Sequence, residues 1–198
     1  MLGLVFATPD EAAPFVDIYA GGRTDDLQEG QYLEAGEVLV TVTGPGKIKA
    51  TLGTEQFFQR HDPDTIVHAG GATALSEEFD PGTLVAATFV LEGDRVALDT
   101  PAYPRMPLEP PFNLSTEGTL VTQDHTDDDS ETRSYWERIA DMRDDTGYAV
   151  AYVAAQHGTT CHIAKGITGH AGTENEPAVQ QEAYEAVATC LHEHLETN

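Results

Sequence analysis

The chain has 198 residues, 40% of them hydrophobic, with 10 basic side chains against 34 acidic ones and a net charge of −24. That length and apolar content predict one folded domain with its own core, and the charge argues against nucleic-acid or anionic-membrane partners, which call for Lys and Arg. No apolar run approaches the roughly 18 residues of a membrane span. MLGLVF leads straight into acidic TPDEAAPF without a basic signal-peptide region. Cys161 and Cys190 are too few for a disulfide framework, so the expected setting is reducing cytoplasm. Only three lysines occur (Lys47, Lys49, Lys165), while acids are spread through every segment. Such a surface suits a salt-rich cytoplasm, where a Debye length of about 3 Å at molar salt screens self-repulsion.

In chain order, residues 2–7 (LGLVFA) suit a buried strand, followed by a helix start at Thr8-Pro9-Asp10-Glu11. Thr8 and Glu11 have the spacing of a capping box, with Pro9 at the first helical position. Residues 21–26 carry turn chemistry, 31–36 form a weak strand, and Glu37–Thr43 alternates as a clear strand ending at Gly44-Pro45-Gly46. A helix is predicted over about 47–60, with Ile48, Leu52, Phe57 and Phe58 at helical spacing. Thr65–Ala69 runs as a strand into Gly70-Gly71, and Leu84–Leu91 is another. Residues 101–112 hold five prolines, which predicts a stiff irregular loop bearing Tyr103, Arg105 and Phe112, either a plain connector or a cover over a pocket. Further on come a short strand at 120–122 and an acidic helix start at Asp127–Asp129. A helix over about 129–141 carries Trp136, and another covers 146–157. A strand at Cys161–Ile167 and a terminal helix at 177–195 complete the series. Strands alternating with helices, with glycines at the strand ends, predict an α/β architecture.

Chemistry is expected at those strand ends. Gly44-Pro45-Gly46-Lys47 lies where backbone N–H groups gather for an anion, though it lacks the Walker spacing and a structural turn is the plainer reading. Gly70 and Gly71 end a strand, and ligands of α/β sheets lie beyond the carboxyl ends of strands. His192-Glu193-His194 places its histidines at i and i+2, off a common helix face, so no metal site is read there. His162 reads as a satisfied strand histidine, Cys161 as inert core, and Asp127–Asp129 as a solvated helix N-terminus.

Taken together, these segments resemble the nucleoside phosphorylase superfamily, closest to the methylthioadenosine/S-adenosylhomocysteine nucleosidases, from about residue 2 to 190. GLVFATPDEA is similar to the family's GIIGAMEEE, TGPGKIKATLGTEQFF to SGIGKVNAA, DTIVHAGGATAL to DVIINTGSAGGL, and DPGTLVAATFV to KVGDIVV. Thr122-Gln123-Asp124 stands where the family has Ser-Gly-Asp. DDTGYAVAYV resembles VDMEGFAVAWA, and AKGITGHAG resembles VKHVSDNAD. The resemblance implies a three-layer sandwich with a central mixed sheet flanked by helices, as a single domain over 1–198. It also implies a homodimer or larger homo-oligomer, a nucleoside-like small-molecule ligand, and neither cofactor nor metal.

That family breaks the C–N bond of a purine nucleoside with three carboxylates, because the leaving base must be protonated and the sugar becomes oxocarbenium-like. Glu11 falls on the water-activating position. Thr146 stands at the ribose-binding carboxylate, so a charge-assisted hydrogen bond is lost there. Gly169 stands at the purine-protonating Asp, with His170 beside it as a replacement acid. Gly172 replaces a second Asp, Gly71 a Ser, and Thr126 the base-stacking aromatic. Asp145 is one residue from the sugar position and is expected on the helix, turned about 100° away. The phosphorylase branch has an Arg where this chain has His68, which disfavours phosphorolysis. The implied catalytic residues are thus Glu11 and His170, and the implied substrate-binding residues Gly70, Gly71, Asp124, Thr126, Thr146 and Tyr148. The expected function is a divergent nucleosidase. The alternatives are a catalytically degenerate member that binds a nucleoside-like ligand for regulation or assembly, and an interaction scaffold without a ligand.

Overall fold

The computed structural model describes residues 1–21, 27–94, 104–112, 114–126, 129–173 and 176–197. In chain order its elements are β1 (Leu2–Phe6), α1 (Pro9–Tyr19), β2 (Tyr32–Ala35), β3 (Val38–Val42), α2 (Lys47–Arg60), β4 (Thr65–Ala74) and β5 (Leu84–Glu92). They continue with β6 (Arg105–Pro107), β7 (Glu117–Thr122), α3 (Ser130–Trp136), β8 (Met142–Asp144), α4 (Gly147–His157), β9 (Thr160–His170) and α5 (Pro177–Thr197). Most of the turn expected at 21–26, the start of the Pro-rich stretch with Tyr103, and the acids Asp127 and Asp128 lie outside the described residues.

β1 and β3 are short and almost wholly apolar, and both of their faces are covered. Leu4 and Phe6 of β1 pack with Phe15 and Val16 of α1 and Val187 and Leu191 of α5. Val5 points the other way, into the cluster with Phe57 and Phe58 of α2 and Val150 and Val153 of α4. The same period-two split separates Val38, Val40 and Val42 from Leu39. Two helical layers therefore enclose a mixed central sheet, as the family resemblance implies.

The sheet runs β2-β3-β1-β4-β8-β7-β5-β6, and β9 pairs with both β4 and β5. The length of β4 allows this. Its first half pairs with β1, its last residues Thr73 and Ala74 pair with β8, and its other edge pairs with β9 throughout, with a register shift after Ala72. Strands β4, β8, β7, β5 and β9 thus form a closed ring, from which β1, β3 and β2 extend as an open wing. Of these pairings, β4–β8, β5–β9, β5–β6 and β2–β3 are antiparallel.

The structure corrects several local expectations. Arg105–Pro107 is a strand despite its proline, because it pairs only with β5 at the sheet edge, where a missing N–H breaks no ladder. The Arg105 guanidinium lies 4.3 Å from the Phe89 ring centre. Phe112 does not cover the glycine-rich strand ends. Its ring lies tilted against His194 at 3.8 Å between centres, beside Met1, Leu2 and Thr65 at the opposite end of the sheet. The helix expected to 141 stops at Trp136, so that Met142–Asp144 can enter the sheet between β4 and β7. Ile48 and Leu52 are 82% and 57% exposed, because α2 buries the different stripe of Ala50, Thr54, Phe57 and Phe58. Among the described residues no helix is long and apolar enough to cross a membrane.

Candidate active site

The capping box of α1 forms as predicted, and it does more than begin a helix. Thr8 Oγ1 accepts the Glu11 N–H at 3.3 Å. In return Glu11 Oε2 accepts the N–H groups of Thr8 at 3.1 Å and Ala7 at 3.0 Å. Its other oxygen, Oε1, accepts the Gly71 N–H at 2.9 Å. Three backbone donors therefore hold one carboxylate, 8% exposed, at the carboxyl ends of β1 and within β4. Glycine is required at residue 70. Its φ is +147°, and a Cβ there would lie 2.6 Å from Glu11 Oε1. A Cβ on Gly71 would meet Thr168 and the Tyr184 ring at 2.8 and 2.9 Å. Burial, with the charges of Glu11 and Asp10 nearby, pushes the Tyr184 phenol up to about 12 against the bond from Gln180.

A second loop closes on the first. The Gly44 N–H donates to the Ala7 carbonyl at 2.9 Å, which sets the β3–α2 turn against the β1–α1 turn. The next amides open α2, the end where the sequence predicts gathered N–H groups. Two carboxylates of the chain itself take them. Asp145 Oδ2 accepts from Gly46 at 3.0 Å, and Asp124 Oδ1 accepts from Lys47 at 2.8 Å. The Lys47 ammonium reaches Asp94 at 2.8 Å and Glu92 at 3.5 Å. Asp145 precedes α4, whose first residue is Gly147, so it is not rotated away on a helix as expected. Burial, the Asp144 and Glu11 charges, all outweighing Lys165 and the Gly46 amide, hold its carboxyl above the usual range.

Beneath these loops lies a buried polar hub. The Lys165 ammonium is 2.9 Å from Asp144 Oδ2 and 2.8 Å from His68 Nε2. His68 Nδ1 is 2.9 Å from the Val5 carbonyl, which can only accept, so that nitrogen carries a proton and Nε2 receives the lysine N–H. Asp144 also accepts from Thr122 Oγ1 at 2.8 Å and from the Gly147 N–H at 2.9 Å. Burial alone would raise its carboxyl, but the Lys165 charge beside it holds it well below the usual range.

The expected site residues fall into separate places. Glu11, Gly70 and Gly71 come together. Thr146 is 1% exposed and belongs to the hub, its Oγ1 3.0 Å from His68 Nε2. Asp124 and Tyr148 line a cleft of about 410 Å³ with Lys47, Ile48, Thr51 and Glu92. Thr126 is exposed beyond Asp124. His170 ends β9 and lines another cleft, of about 480 Å³, with Ser76, Glu77, Asp80, Arg133 and Glu137. His162 is half-buried, with Nδ1 2.8 Å from the Glu109 carbonyl. Burial pushes the Cys161 thiol up to about 12 despite the Lys165 charge, in keeping with inert core. Among the described residues no group of three or more His, Cys, Asp or Glu is placed to hold a metal ion. Sequence reasoning turned Asp145 away from the site and did not single out Tyr184 or Lys165 for it. A lysine inside an apolar strand, in a chain with so few, was the available signal for Lys165.

Comparison with known proteins adds to this picture. The sequence model of the phosphorylase superfamily matches residues 2–124. A 5'-methylthioadenosine/S-adenosylhomocysteine nucleosidase of Staphylococcus haemolyticus is 27% identical over 120 residues, 55% of this chain and 51% of that protein. The nucleosidase of the same name from Chromohalobacter salexigens is 30% identical over 63 residues, 32% of this chain and 27% of that protein. The matches thus span about half or less of those relatives' lengths. Among solved structures, futalosine hydrolase of Helicobacter pylori superposes with a TM-score of 0.82 at 16% identity, covering 100% of this chain and 97% of that one. The Helicobacter pylori 5'-methylthioadenosine/S-adenosylhomocysteine nucleosidase with butyl-thio-DADMe-Immucillin-A superposes at 0.80, also at 16% identity, covering 100% and 98%. At these identities the superpositions speak for a shared fold.

Proposed function

This chain belongs to the phosphorylase superfamily, and from that premise we propose that it hydrolyses the N-glycosidic bond of a nucleoside or related compound. The observation that carries the reading is the grip on Glu11. Its carboxylate is fixed by the amides of Ala7 and Thr8 after β1 and of Gly71 within β4. A base held this way is positioned to take a proton from water attacking the sugar carbon. The similarity to nucleosidases supports hydrolysis over phosphorolysis, and His68, bonded to Val5 and Lys165, has no free donor to offer a phosphate. The whole chain, 1–198, acts in this proposal as one domain in the cytoplasm of a salt-adapted cell.

The test is release of free base from a panel of nucleosides in buffer with molar KCl, followed by chromatography. Glu11→Gln is expected to lose about 10²–10⁴-fold in rate. No release from any substrate, or full activity in that variant, overturns the reading. One observation favours a second reading, a member that binds a nucleoside-like ligand without turnover. Thr146, at the family's sugar-binding carboxylate, is buried and engaged with His68. That reading requires saturable binding without base release, seen as a thermal shift. Self-association is part of the first proposal. Exposed Ile48, Leu52 and Tyr152 around the Lys47–Tyr148 cleft support it, and sedimentation is expected to give a dimer or larger.

A further inference from the structure

Glu11 is half of what breaking a glycosidic bond needs, since a departing nitrogen base must also receive a proton. The described residues offer few donors at this spot. His170 lines a different cleft with Arg133 and Glu77. Asp144 is committed to Lys165, Thr122 and Gly147. Tyr184 only accepts from Gln180 and keeps its O–H, but with its phenol pushed up to about 12 it is a poor match for an acid working near neutral pH. Asp145 remains, and backbone hydrogen bonds of the two loops link it to Glu11. Its Oδ2 takes the Gly46 N–H, Gly44 of the same turn bonds to Ala7, and Ala7 bonds to Glu11. Its second oxygen, Oδ1, has no hydrogen-bond partner among the described residues, and the residue is half-buried at the loops rather than sealed in the hub.

We propose that Asp145 is the acid partner of Glu11, holding on Oδ1 the proton that the leaving base receives. This rests on the nucleosidase reading above. In the step, Glu11 takes a proton from water as its oxygen bonds to the anomeric carbon. The C–N bond breaks, its electron pair stays on the base nitrogen, and that nitrogen takes the Asp145 proton. Glu11 then returns its proton to solvent and Asp145 regains one, so one water is consumed and nothing else. The groups facing Asp145 are Asp144 from β8, Lys165 from β9, Glu11 from α1 and the Gly46 amide from the β3–α2 turn. The negative charges and burial favour the protonated acid, and a pair of carboxyls with opposed environments is how one site supplies both acid and base.

Asp145→Asn tests this, since an amide oxygen keeps the Gly46 bond and so the start of α2. The variant is expected to lose about 10²–10⁴-fold on nucleosides, together with the alkaline limb of the rate profile that reports the acid. On a para-nitrophenyl riboside, whose leaving group needs no proton, it should stay within a few-fold of the parent. Equal losses on both substrates, or a rise in KM alone with the limb intact, overturn the assignment. Carboxyl-carbon NMR reads the pairing without turnover. Asp145 is expected to titrate above the ordinary carboxylate range in the parent and to move down in Glu11→Gln. If no nucleoside is cleaved while that coupling is seen, the nucleosidase reading fails and the pairing stands. An ordinary Asp145 titration indifferent to Glu11 refutes the pairing whatever the panel yields.

Discussion

Replacing Asp144 by asparagine isolates the buried hub in one atom pair. Asparagine keeps the Oδ1 to which Thr122 donates at 2.8 Å and Gly147 at 3.1 Å, with almost the same volume, so packing and those two bonds survive. What disappears is the negative charge 2.9 Å from Lys165, whose side chain is 1% exposed. Removing one partner of a buried ion pair costs about 3–5 kcal/mol, because the remaining charge is stranded out of water. With a urea slope of about 2 kcal/mol per molar, that is a midpoint shift of about 1.5–2.5 M in equilibrium unfolding. The pH dependence follows from the sign of the Asp144 shift. Its folded carboxyl lies below the unfolded value of about 3.9. Its contribution is therefore fully present above that value and is lost as pH falls through the folded one. Asparagine does not titrate, so the gap between parent and variant should be widest near neutrality and should close in acid. A midpoint shift under about 0.5 M, or a gap that does not narrow below pH 4, refutes the account of the hub as a charged pair.

Three further outcomes are expected. Gly70→Ala should destabilise by about 1–3 kcal/mol in urea titration, because its φ of +147° disfavours a side chain, and should impair any base release by displacing Glu11. Thr8→Ala removes the cap on α1 and should cost about 0.5–2 kcal/mol, again read from urea midpoints. The unfolding temperature should rise steeply with KCl as the net charge of −24 is screened. Equal stability in dilute buffer would dissociate the acidic surface from salt adaptation.

What could be read in the sequence was local. Period-two runs, the Thr8-Glu11 spacing and the glycine-marked end of β3 each depend on neighbours a few positions away, and each matches the structure, whereas Gly70-Gly71, expected to end a strand, lie inside β4, which pairs with β9 on to Ala74. Ile48 and Leu52 misled because helical spacing identifies a stripe without saying which stripe meets the sheet. β8 was missed because three residues carry no periodicity, and its place is fixed by β4 and β7 from either side. Asp145 was misplaced by applying helical rotation to a residue that stands before the N-cap Thr146, where the chain is still a loop. The hub was invisible for a different reason. His68 and Lys165 are 97 positions apart and meet only when β4 and β9 lie side by side.

That side-by-side pairing also sets an order of events for a chain leaving the ribosome. Until β9 emerges, β4 and β5 each carry an open edge, and Asp144 has no cation to receive it. A nascent chain that stalls after α4 would display unpaired strands able to join those of a neighbour. Ring closure over so long a separation is slow by its topology. The same strand that completes the hub thus ends the interval in which the chain is vulnerable to aggregation.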